Sequence, residues 1–160
     1  MAAGGVGLAP FMTLAEALVA GGNPPTLFYG ARRAADLHCA DRFERLGIRV
    51  VYATEDGSRG ARGFVTAPMA EAFAALPGGR QVRVYACGPT PMMRAVNDLT
   101  VARGHRCDVS LEQVMGCGLG GCYSCVVKAL DEGGHGHYVR SCLAGPIFDG
   151  RTIDWTVLGH

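Results

Sequence analysis

One stretch of the sequence predicts a metal-binding domain in this chain. It reads Met115-Gly116-Cys117-Gly118-Leu119-Gly120-Gly121-Cys122-Tyr123-Ser124-Cys125, and a later cysteine, Cys142, belongs with it. The four cysteines follow the spacing C-x4-C-x2-C-x16-C. Three cysteines on one tight loop with a distant fourth is the plant-type pattern of a [2Fe–2S] cluster, in which four thiolates hold two irons. The sequence therefore predicts a [2Fe–2S] site formed by Cys117, Cys122, Cys125 and Cys142.

The residues between these cysteines support that prediction. Positions 116, 118, 120 and 121 are all glycine. Glycine allows positive φ and a close approach of the backbone to inorganic sulfide. Backbone N–H groups placed in this way can donate to sulfur and tune a reduction potential.

Two other interpretations of the cysteines remain open. Structural zinc sites usually combine two C-x2–4-C pairs, and only Cys122 and Cys125 form such a pair here. Alternatively, the cysteines are buried thiols in a glycine-rich loop. Disulfides are disfavoured, because an odd count of 7 cysteines and a metal-type motif indicate a reducing compartment. We therefore expect a cytoplasmic protein.

Composition excludes several classes of function. The chain has 160 residues, 49% hydrophobic, which suits one domain with a small appendage. A net charge of +1 without a basic stripe gives no indication of nucleic-acid binding. No apolar run reaches the roughly 18 residues that a membrane-spanning helix needs, and the N-terminus lacks the pattern of a signal peptide.

The rest of the chain alternates between two periodicities. Helical spacing of apolar residues covers 10–20, 34–46, 64–76 and 91–103, whereas short buried strands are predicted at 26–29, 48–53, 82–87 and 107–111. Such alternation predicts an α/β fold, a Rossmann-like parallel sheet with helices on both faces. A hairpin, 126–129 with 138–142, is expected to bring Cys142 back to the cysteine loop.

The N-terminus begins abruptly. Residues 4–10 read Gly-Gly-Val-Gly-Leu-Ala-Pro, which resembles a phosphate-binding turn that leads into a helix. Such a turn normally follows a buried strand, but only three residues precede it. We therefore expect a sheet that lacks its first strand and a chain that starts inside a domain, the alternative being a flexible N-terminus.

Ligands of parallel α/β sheets bind beyond the carboxyl ends of the strands. The glycine-containing loops at those ends provide the candidate cofactor-binding residues. Glu55 and Asp56 are candidates for accepting the ribose hydroxyls of NAD, although Asp-Gly is also an ordinary turn signal. Arg59 and Arg62 are cations that could bind the 2′-phosphate of NADP, so NADP remains an alternative to NAD. The candidates are Gly5, Gly7, Pro10, Gly30, Arg32, Glu55, Asp56, Cys87, Gly88 and Pro89.

Three segments together resemble the nucleotide domain of the ferredoxin reductase superfamily: 4–10, Tyr29-Gly30-Ala31-Arg32, and Tyr85-Ala86-Cys87-Gly88-Pro89-Thr90-Pro91-Met92. The stretches 55–58, 63–66, 110–112 and 142–149, around the cysteine motif, narrow the resemblance to the electron transfer subunits of dihydroorotate dehydrogenase B. The resemblance covers nearly the whole chain. It implies that Cys87 faces the contact between flavin and nicotinamide, the alternative being a small buried thiol.

The resemblance also implies a function. In that family a partner subunit oxidises dihydroorotate on FMN, and electrons pass through a [2Fe–2S] cluster and an FAD to NAD+ in pyrimidine biosynthesis. The implied partner is that catalytic FMN subunit, in a heterotetramer. The family's cluster ligands correspond to Cys117, Cys122, Cys125 and Cys142.

One departure from the family is clear. Its members hold FAD on an N-terminal β-barrel with an Arg-x-Tyr-Ser/Thr motif, which these residues lack; Arg83-Val84-Tyr85-Ala86 is only superficially similar. We expect a truncated nucleotide domain at 1–111 and a cluster domain at 112–160, without the FAD-binding barrel. Because the flavin site is then absent, we expect no oxidoreductase activity from this chain alone. Two alternatives are a small subunit of another flavin and iron–sulfur oxidoreductase (ferredoxin:NADP or sulfide dehydrogenase type) and a zinc-stabilised binding module.

Overall fold

The computed structural model describes residues 1–158, which form two compact units, the first from Met1 to Gln81 and the second from Val82 onward. Both units combine strands with helices, so the predicted α/β class is confirmed. The boundary expected after residue 111, between a nucleotide domain and a cluster domain, stays a prediction.

The first unit is a parallel sheet with helical connections. Its elements are β1 (Ala2–Gly4), α1 (Phe11–Ala20), β2 (Thr26–Ala31), α2 (Ala40–Arg45), β3 (Arg49–Thr54), β4 (Ala61–Arg62) and α3 (Thr66–Ala74). The strands lie in the order β4-β3-β2-β1, all parallel. Apolar side chains such as Leu27, Phe43 and Val65 are almost fully buried, as expected for a sheet covered by helices.

A strand does precede the glycine-rich turn. Ala2–Gly4 forms β1, which pairs in parallel with β2 through Ala2↔Phe28 and Gly4↔Gly30. The expectation of a sheet lacking its first strand was wrong in this respect. Three residues with small side chains gave too short an apolar pattern to be recognised, but backbone pairing with β2 suffices to order them.

The helix predicted over 34–46 is interrupted. A short 3-10 helix covers Ala34–Asp36, and α2 begins only at Ala40. Cys39 between them has φ of 56°, a left-handed conformation that cannot continue a right-handed helix. Cys39 is also exposed rather than a packing residue.

The second unit contains β5 (Arg83–Cys87), α4 (Thr90–Val101), β6 (Arg106–Ser110), β7 (Val126–Leu130), β8 (Gly136–Arg140), α5 (Ser141–Ala144) and β9 (Ile147–Asp149). Strand β5 pairs in parallel with β6, and β9 adds to β6 in antiparallel. The sequence did not predict β9. The buried face of α4 consists of Met93, Val96, Asn97 and Thr100.

The predicted hairpin is confirmed. Strands β7 and β8 pair in antiparallel, with Val126 opposite Arg140. The chain after β9 packs on the other edge of β7, through a bridge between Ala129 and Ile153 and an N–H from Asp154 to the carbonyl of Lys128 at 3.0 Å. Within residues 1–158, no helix is long and apolar enough to cross a membrane.

Candidate metal centre and nucleotide site

The hairpin and the glycine-rich loop bring the four predicted cysteines together within the second unit. The Sγ atoms of Cys125 and Cys142 lie 3.2 Å apart, and the Sγ of Cys117 accepts the N–H groups of Leu119 and Gly121, each at 3.3 Å. All four thiols are free. Because N–H groups directed at sulfur stabilise the thiolate, the loop is built to hold ligand sulfurs.

The thiols stand as two pairs. Hydrogen bonds from Ser124, through its hydroxyl and its backbone, and from Cys117 lower the pKa of Cys122 to about 6. In the other pair, the N–H and the thiol of Cys142 lower the pKa of Cys125, while the pKa of Cys142 is raised by the same contact with Cys125. The two directions are opposite because one sulfur of a hydrogen-bonded pair accepts what the other donates.

Backbone geometry explains the glycines of the loop. A Cβ on Gly116 would lie 2.9 Å from both the Sγ of Cys122 and the Oγ of Ser124, so no larger residue fits there. Gly118 and Gly120 have φ of 67° and 80°, which side chains rarely adopt. Arg140 holds the loop from the hairpin, since its guanidinium donates to the carbonyl of Gly120 and lies 4.8 Å from the ring of Tyr123.

The four thiols have the donor number of either a structural zinc ion or a two-iron cluster. A structural zinc needs four ligands around a single point, and in the part of the chain that the structure describes no three His, Cys, Asp or Glu side chains are grouped for one ion. A [2Fe–2S] cluster needs two thiolates on each of two irons. Two cysteine pairs on a glycine cradle have the composition that this requires.

In the first unit, seven candidate nucleotide residues lie at the carboxyl ends of β1, β2 and β3. Gly4 of β1 is paired with Gly30 of β2, and the N–H groups of Glu55 and Asp56 donate to the carbonyls of Ala31 and Arg32 at 3.1 Å. The loops after these strands are thus neighbours, as the sequence predicted. The seven are Gly5, Gly7, Pro10, Gly30, Arg32, Glu55 and Asp56.

The polar candidate residues differ in whether their side chains already form hydrogen bonds within the protein. Asp56 accepts the N–H of Ser58 at 2.9 Å and its hydroxyl at 2.6 Å, which lowers the pKa of Asp56. Its carboxylate therefore caps its own turn. The side chains of Glu55 and Arg32 are exposed and make no hydrogen bond or ion pair within residues 1–158, so both are available to a ligand.

Arg59 is not available for a 2′-phosphate without rearrangement. Its guanidinium donates to Glu44 at 3.0 Å and lies 3.8 Å from the ring centroid of Tyr52. The hydroxyl of Tyr52 donates to the same carboxylate at 2.5 Å. Desolvation, followed by the hydrogen bond to Glu44, raises the pKa of Tyr52 to about 12. This cluster ties α2 to the loop after β3.

Cys87, Gly88 and Pro89 lie at the carboxyl end of β5 in the second unit. Cys87 is buried, and burial raises the pKa of its thiol. Gly88 has φ of 151°, and Pro89 caps α4. A buried, protonated thiol is consistent with both interpretations of Cys87, the contact with a flavin or nicotinamide and the packing residue.

Sequence reasoning missed several residues that shape these sites. Tyr29 is buried, and its hydroxyl donates to the carbonyl of Gly5 at 3.3 Å, which fixes the glycine-rich turn. Ser124, Ser141 and Arg140 contact the cysteine loop or its ligands. The hydroxyl of Ser141 also contributes to the lowered pKa of Cys125, although its Oγ lacks a partner of ordinary hydrogen-bond geometry. Position beside a cysteine was the only sequence signal for the two serines.

Exposed apolar side chains occur on the cysteine loop and in the segments that follow it. Leu119 is 87% exposed, and Tyr123, Ile147 and Leu143 are also exposed. Val126, directly after the loop, is half-buried. Exposed apolar side chains in one neighbourhood are typical of interaction surfaces. We refer to Leu119, Tyr123, Tyr138, Leu143 and Ile147 as the apolar rim.

Comparison with known families matches most of the chain. Residues 1–98 match the oxidoreductase NAD-binding domain, and residues 112–154 match the iron–sulfur cluster binding domain of dihydroorotate dehydrogenase B. One solved structure, reported as an NADH-dependent reduced ferredoxin–NADP oxidoreductase in connection with flavin-based electron bifurcation, is 32% identical. It has a TM-score of 0.81, with 98% of this chain and 54% of that chain covered.

Individual relatives have consistent names. Electron transfer subunits of dihydroorotate dehydrogenase B (NAD(+)) from Caldanaerobacter subterraneus subsp. tengcongensis and Shouchella clausii are 36% and 38% identical, with 91% of this chain and 54% and 52% of theirs covered. A probable one from Archaeoglobus fulgidus is 34% identical, with 96% and 60% covered. These matches confirm the resemblance noted from the sequence. The chain spans about half the length of these relatives.

Proposed function

Because the chain belongs to the oxidoreductase NAD-binding domain family, we propose that it is the electron-transfer part of a dihydroorotate-oxidising enzyme. Cys117, Cys122, Cys125 and Cys142 hold a [2Fe–2S] cluster, which relays single electrons between an FMN of the partner subunit and an FAD. Two such electrons and a proton would reduce the FAD, which would then supply the hydride that NAD+ accepts. The relatives are named electron transfer subunits of dihydroorotate dehydrogenase B (NAD(+)). We assign this chain the corresponding activity in pyrimidine biosynthesis, which requires FAD in the assembled enzyme.

The observation that carries the proposal is the arrangement of the four sulfurs. Two cysteine pairs, one of them with Sγ atoms 3.2 Å apart, stand on a loop whose N–H groups are directed at sulfur. Two thiolates for each of two irons is the stoichiometry of the cluster. The protein supplies position and hydrogen bonds, while the cluster supplies one-electron chemistry.

Replacing ligands one at a time tests this assignment. Cys125→Ser and Cys142→Ser should each abolish or destabilise the cluster, measured as visible absorption and iron content after anaerobic purification. Cys39→Ser is the matched control, since Cys39 is an exposed thiol outside the site, and it should keep full iron content. Retention of the cluster in both ligand variants would refute the assignment.

We assign the nucleotide to the edge formed by the loops after β1, β2 and β3. Glu55 has a free carboxylate at the end of β3, where an acidic residue accepts ribose hydroxyls of NAD. Arg32 is the free cation that suits the pyrophosphate. Glu55→Gln should weaken NADH binding several-fold, whereas Glu71→Gln, on α3, should leave it unchanged in the assembled enzyme.

A second function is favoured by one observation. The matched solved structure is an NADH-dependent reduced ferredoxin–NADP oxidoreductase, which fits the alternative of a small subunit in a different flavin and iron–sulfur enzyme. Co-purification from the native source separates the two functions. A dihydroorotate-oxidising FMN subunit supports the first, and a larger ferredoxin-oxidising subunit supports the second.

The apolar rim is the surface that we assign to the FMN partner. An electron carrier must lie close to its donor, and the rim consists of exposed side chains on the cysteine loop and in the segments that follow it, Leu119 being 87% exposed. We further propose a heterotetramer with that partner, without contact to nucleic acid or membrane. The free cysteines fit a cytoplasmic location.

Leu119→Asp tests the docking surface in a chain that also carries the FAD-binding part. The variant should retain its cluster but assemble more weakly with the FMN subunit, because a charge must then be desolvated. Val157→Asp, at an apolar residue 53% exposed and not part of the apolar rim, is the control. Equal assembly and equal electron transfer to NAD+ in both variants would exclude the rim as the docking surface.

A further inference from the structure

A serine hydroxyl stands against one cysteine of the first pair. The Oγ of Ser124 accepts the N–H of Gly116 at 2.9 Å and lies 3.0 Å from the Sγ of Cys122. A Cys122 that ligates iron is a thiolate without a hydrogen, so in this contact the Ser124 hydroxyl must be the donor. The close approach depends on Gly116, where a Cβ would lie 2.9 Å from both atoms.

A second serine lies next to the other cysteine pair in the chain. Ser141 precedes Cys142, and its N–H donates to the carbonyl of Cys125 at 3.0 Å. Its side chain is completely buried, and its Oγ has no hydrogen-bond partner among residues 1–158. Buried hydroxyls almost always have a partner, so this exception requires an explanation. A thiolate of the adjacent cysteine pair is the acceptor that would satisfy it.

We propose that Ser124 and Ser141 are positioning residues that set the reduction potential of the cluster, each donating a hydrogen bond to a ligand sulfur of a different cysteine pair. This inference rests on the proposed [2Fe–2S] cluster. One-electron reduction adds a negative charge to the cluster and its sulfurs. A hydrogen bond to a more negative sulfur is stronger, so both serines stabilise the reduced form and raise the potential.

The test is a redox titration of the whole chain, purified anaerobically with its cluster and reduced with dithionite in the presence of mediators. Ser124→Ala and Ser141→Ala should each lower the ratio of reduced to oxidised cluster at a fixed potential by up to tenfold. For a one-electron couple, tenfold is a downward shift of about 59 mV. The double variant should show the larger shift.

Two further variants separate the hydroxyl from shape. Ser124→Thr keeps a hydroxyl and should leave the reduction potential unchanged. Ser124→Val has the shape of the Thr variant but no hydroxyl, and it should lower the reduction potential. Thr13→Val removes a hydroxyl from an exposed position on α1, outside both cysteine pairs and the apolar rim, and should leave the potential unchanged. Unchanged potentials in Ser124→Val and Ser141→Ala, with the cluster intact, would overturn the inference while leaving the proposed function standing.

Absence of iron from the unaltered chain would instead refute the proposed function. If Ser141→Ala failed to retain its cluster, its potential could not be measured. Resonance Raman spectroscopy of the unaltered chain then gives the decisive measurement. Resonance Raman bands of the cysteinyl iron–sulfur stretches should shift on exchange into D₂O, and the shift should be smaller in Ser124→Val. Bands that do not respond to D₂O in the unaltered chain would exclude hydrogen bonds to the ligand sulfurs and so overturn the inference.

Discussion

At the scale of single residues, Asp154 connects the hairpin to the segment that follows β9. Its carboxylate lies 2.9 Å from the ammonium of Lys128 and accepts the N–H of Thr156 at 3.1 Å and its hydroxyl at 2.5 Å. These contacts, with the Thr156 hydroxyl first, lower the pKa of Asp154 from 3.8 to about 2. A depressed carboxyl pKa stabilises the fold above the ordinary pKa and loses that effect as the pH falls through the folded value.

Asp154→Asn should therefore lower the unfolding midpoint by the same amount at pH 7 and pH 5. The difference from the unaltered chain should then shrink between about pH 4 and pH 2. The measurement is thermal unfolding followed by circular dichroism over this pH range. Asp41→Asn, at an exposed carboxylate paired with Arg45, is the control and should show a smaller effect at every pH. If the difference in unfolding midpoint between Asp154→Asn and the unaltered chain did not change with pH down to pH 2, the lowered pKa of Asp154 would be contradicted.

At this scale the sequence could predict features that depend on a local motif, but not features that depend on neighbours in the folded chain. The cysteine spacing selected the four cysteines that the structure places in two pairs, because the motif is local and depends on few other residues. The serine partners of the sulfurs were not predicted, since their role depends on distances set by the folded loop. The free state of Glu55 and the engaged state of Arg59 likewise depend on which neighbours the folded chain brings to them.

At the scale of elements, the contact between β2 and the start of α3 is unusually tight. A Cβ at Gly30 would lie 2.7 Å from the Cγ1 of Val65, which is almost fully buried. Gly30→Ala should therefore overpack this contact and destabilise the chain by about 1–3 kcal/mol. Urea unfolding gives the measurement.

Val65→Ala removes the atom that would clash. The double variant should thus be less destabilised than the sum of the two single variants, a coupling expected of residues in direct contact. Gly78→Ala is the control, because a Cβ there meets nothing within 4 Å. Strict additivity of Gly30→Ala and Val65→Ala would show that the two positions do not press on each other.

Elements were predicted where their periodicity was long. Helices α1 and α4 and the hairpin β7–β8 have clear apolar patterns and lie where the sequence indicated. Short elements were missed: β1 has three residues, β4 two and β9 three. Such strands carry too few side chains to show a period and are ordered by pairing with a neighbour. The break before α2 arises from the conformation of Cys39, for which the sequence has no signal.

At the scale of the whole molecule, the proposed chemistry requires a flavin. NADH gives up a hydride, whereas a [2Fe–2S] cluster accepts one electron at a time, so a flavin must connect them. The family motif for FAD, Arg-x-Tyr-Ser/Thr, does not occur in these 160 residues. We therefore expect no NADH-dependent dye reduction by this chain alone, and reduction once an FAD-containing part is supplied. Rapid dye reduction without added flavoprotein would refute that expectation.

The central claim is that the four cysteines hold a [2Fe–2S] cluster. It is tested most directly by metal and sulfide analysis of the anaerobically purified chain, combined with EPR spectroscopy. The account predicts about two irons and two acid-labile sulfides per chain, and an EPR signal that appears only after one-electron reduction. Stoichiometric zinc without iron, obtained under the same anaerobic handling, would contradict it.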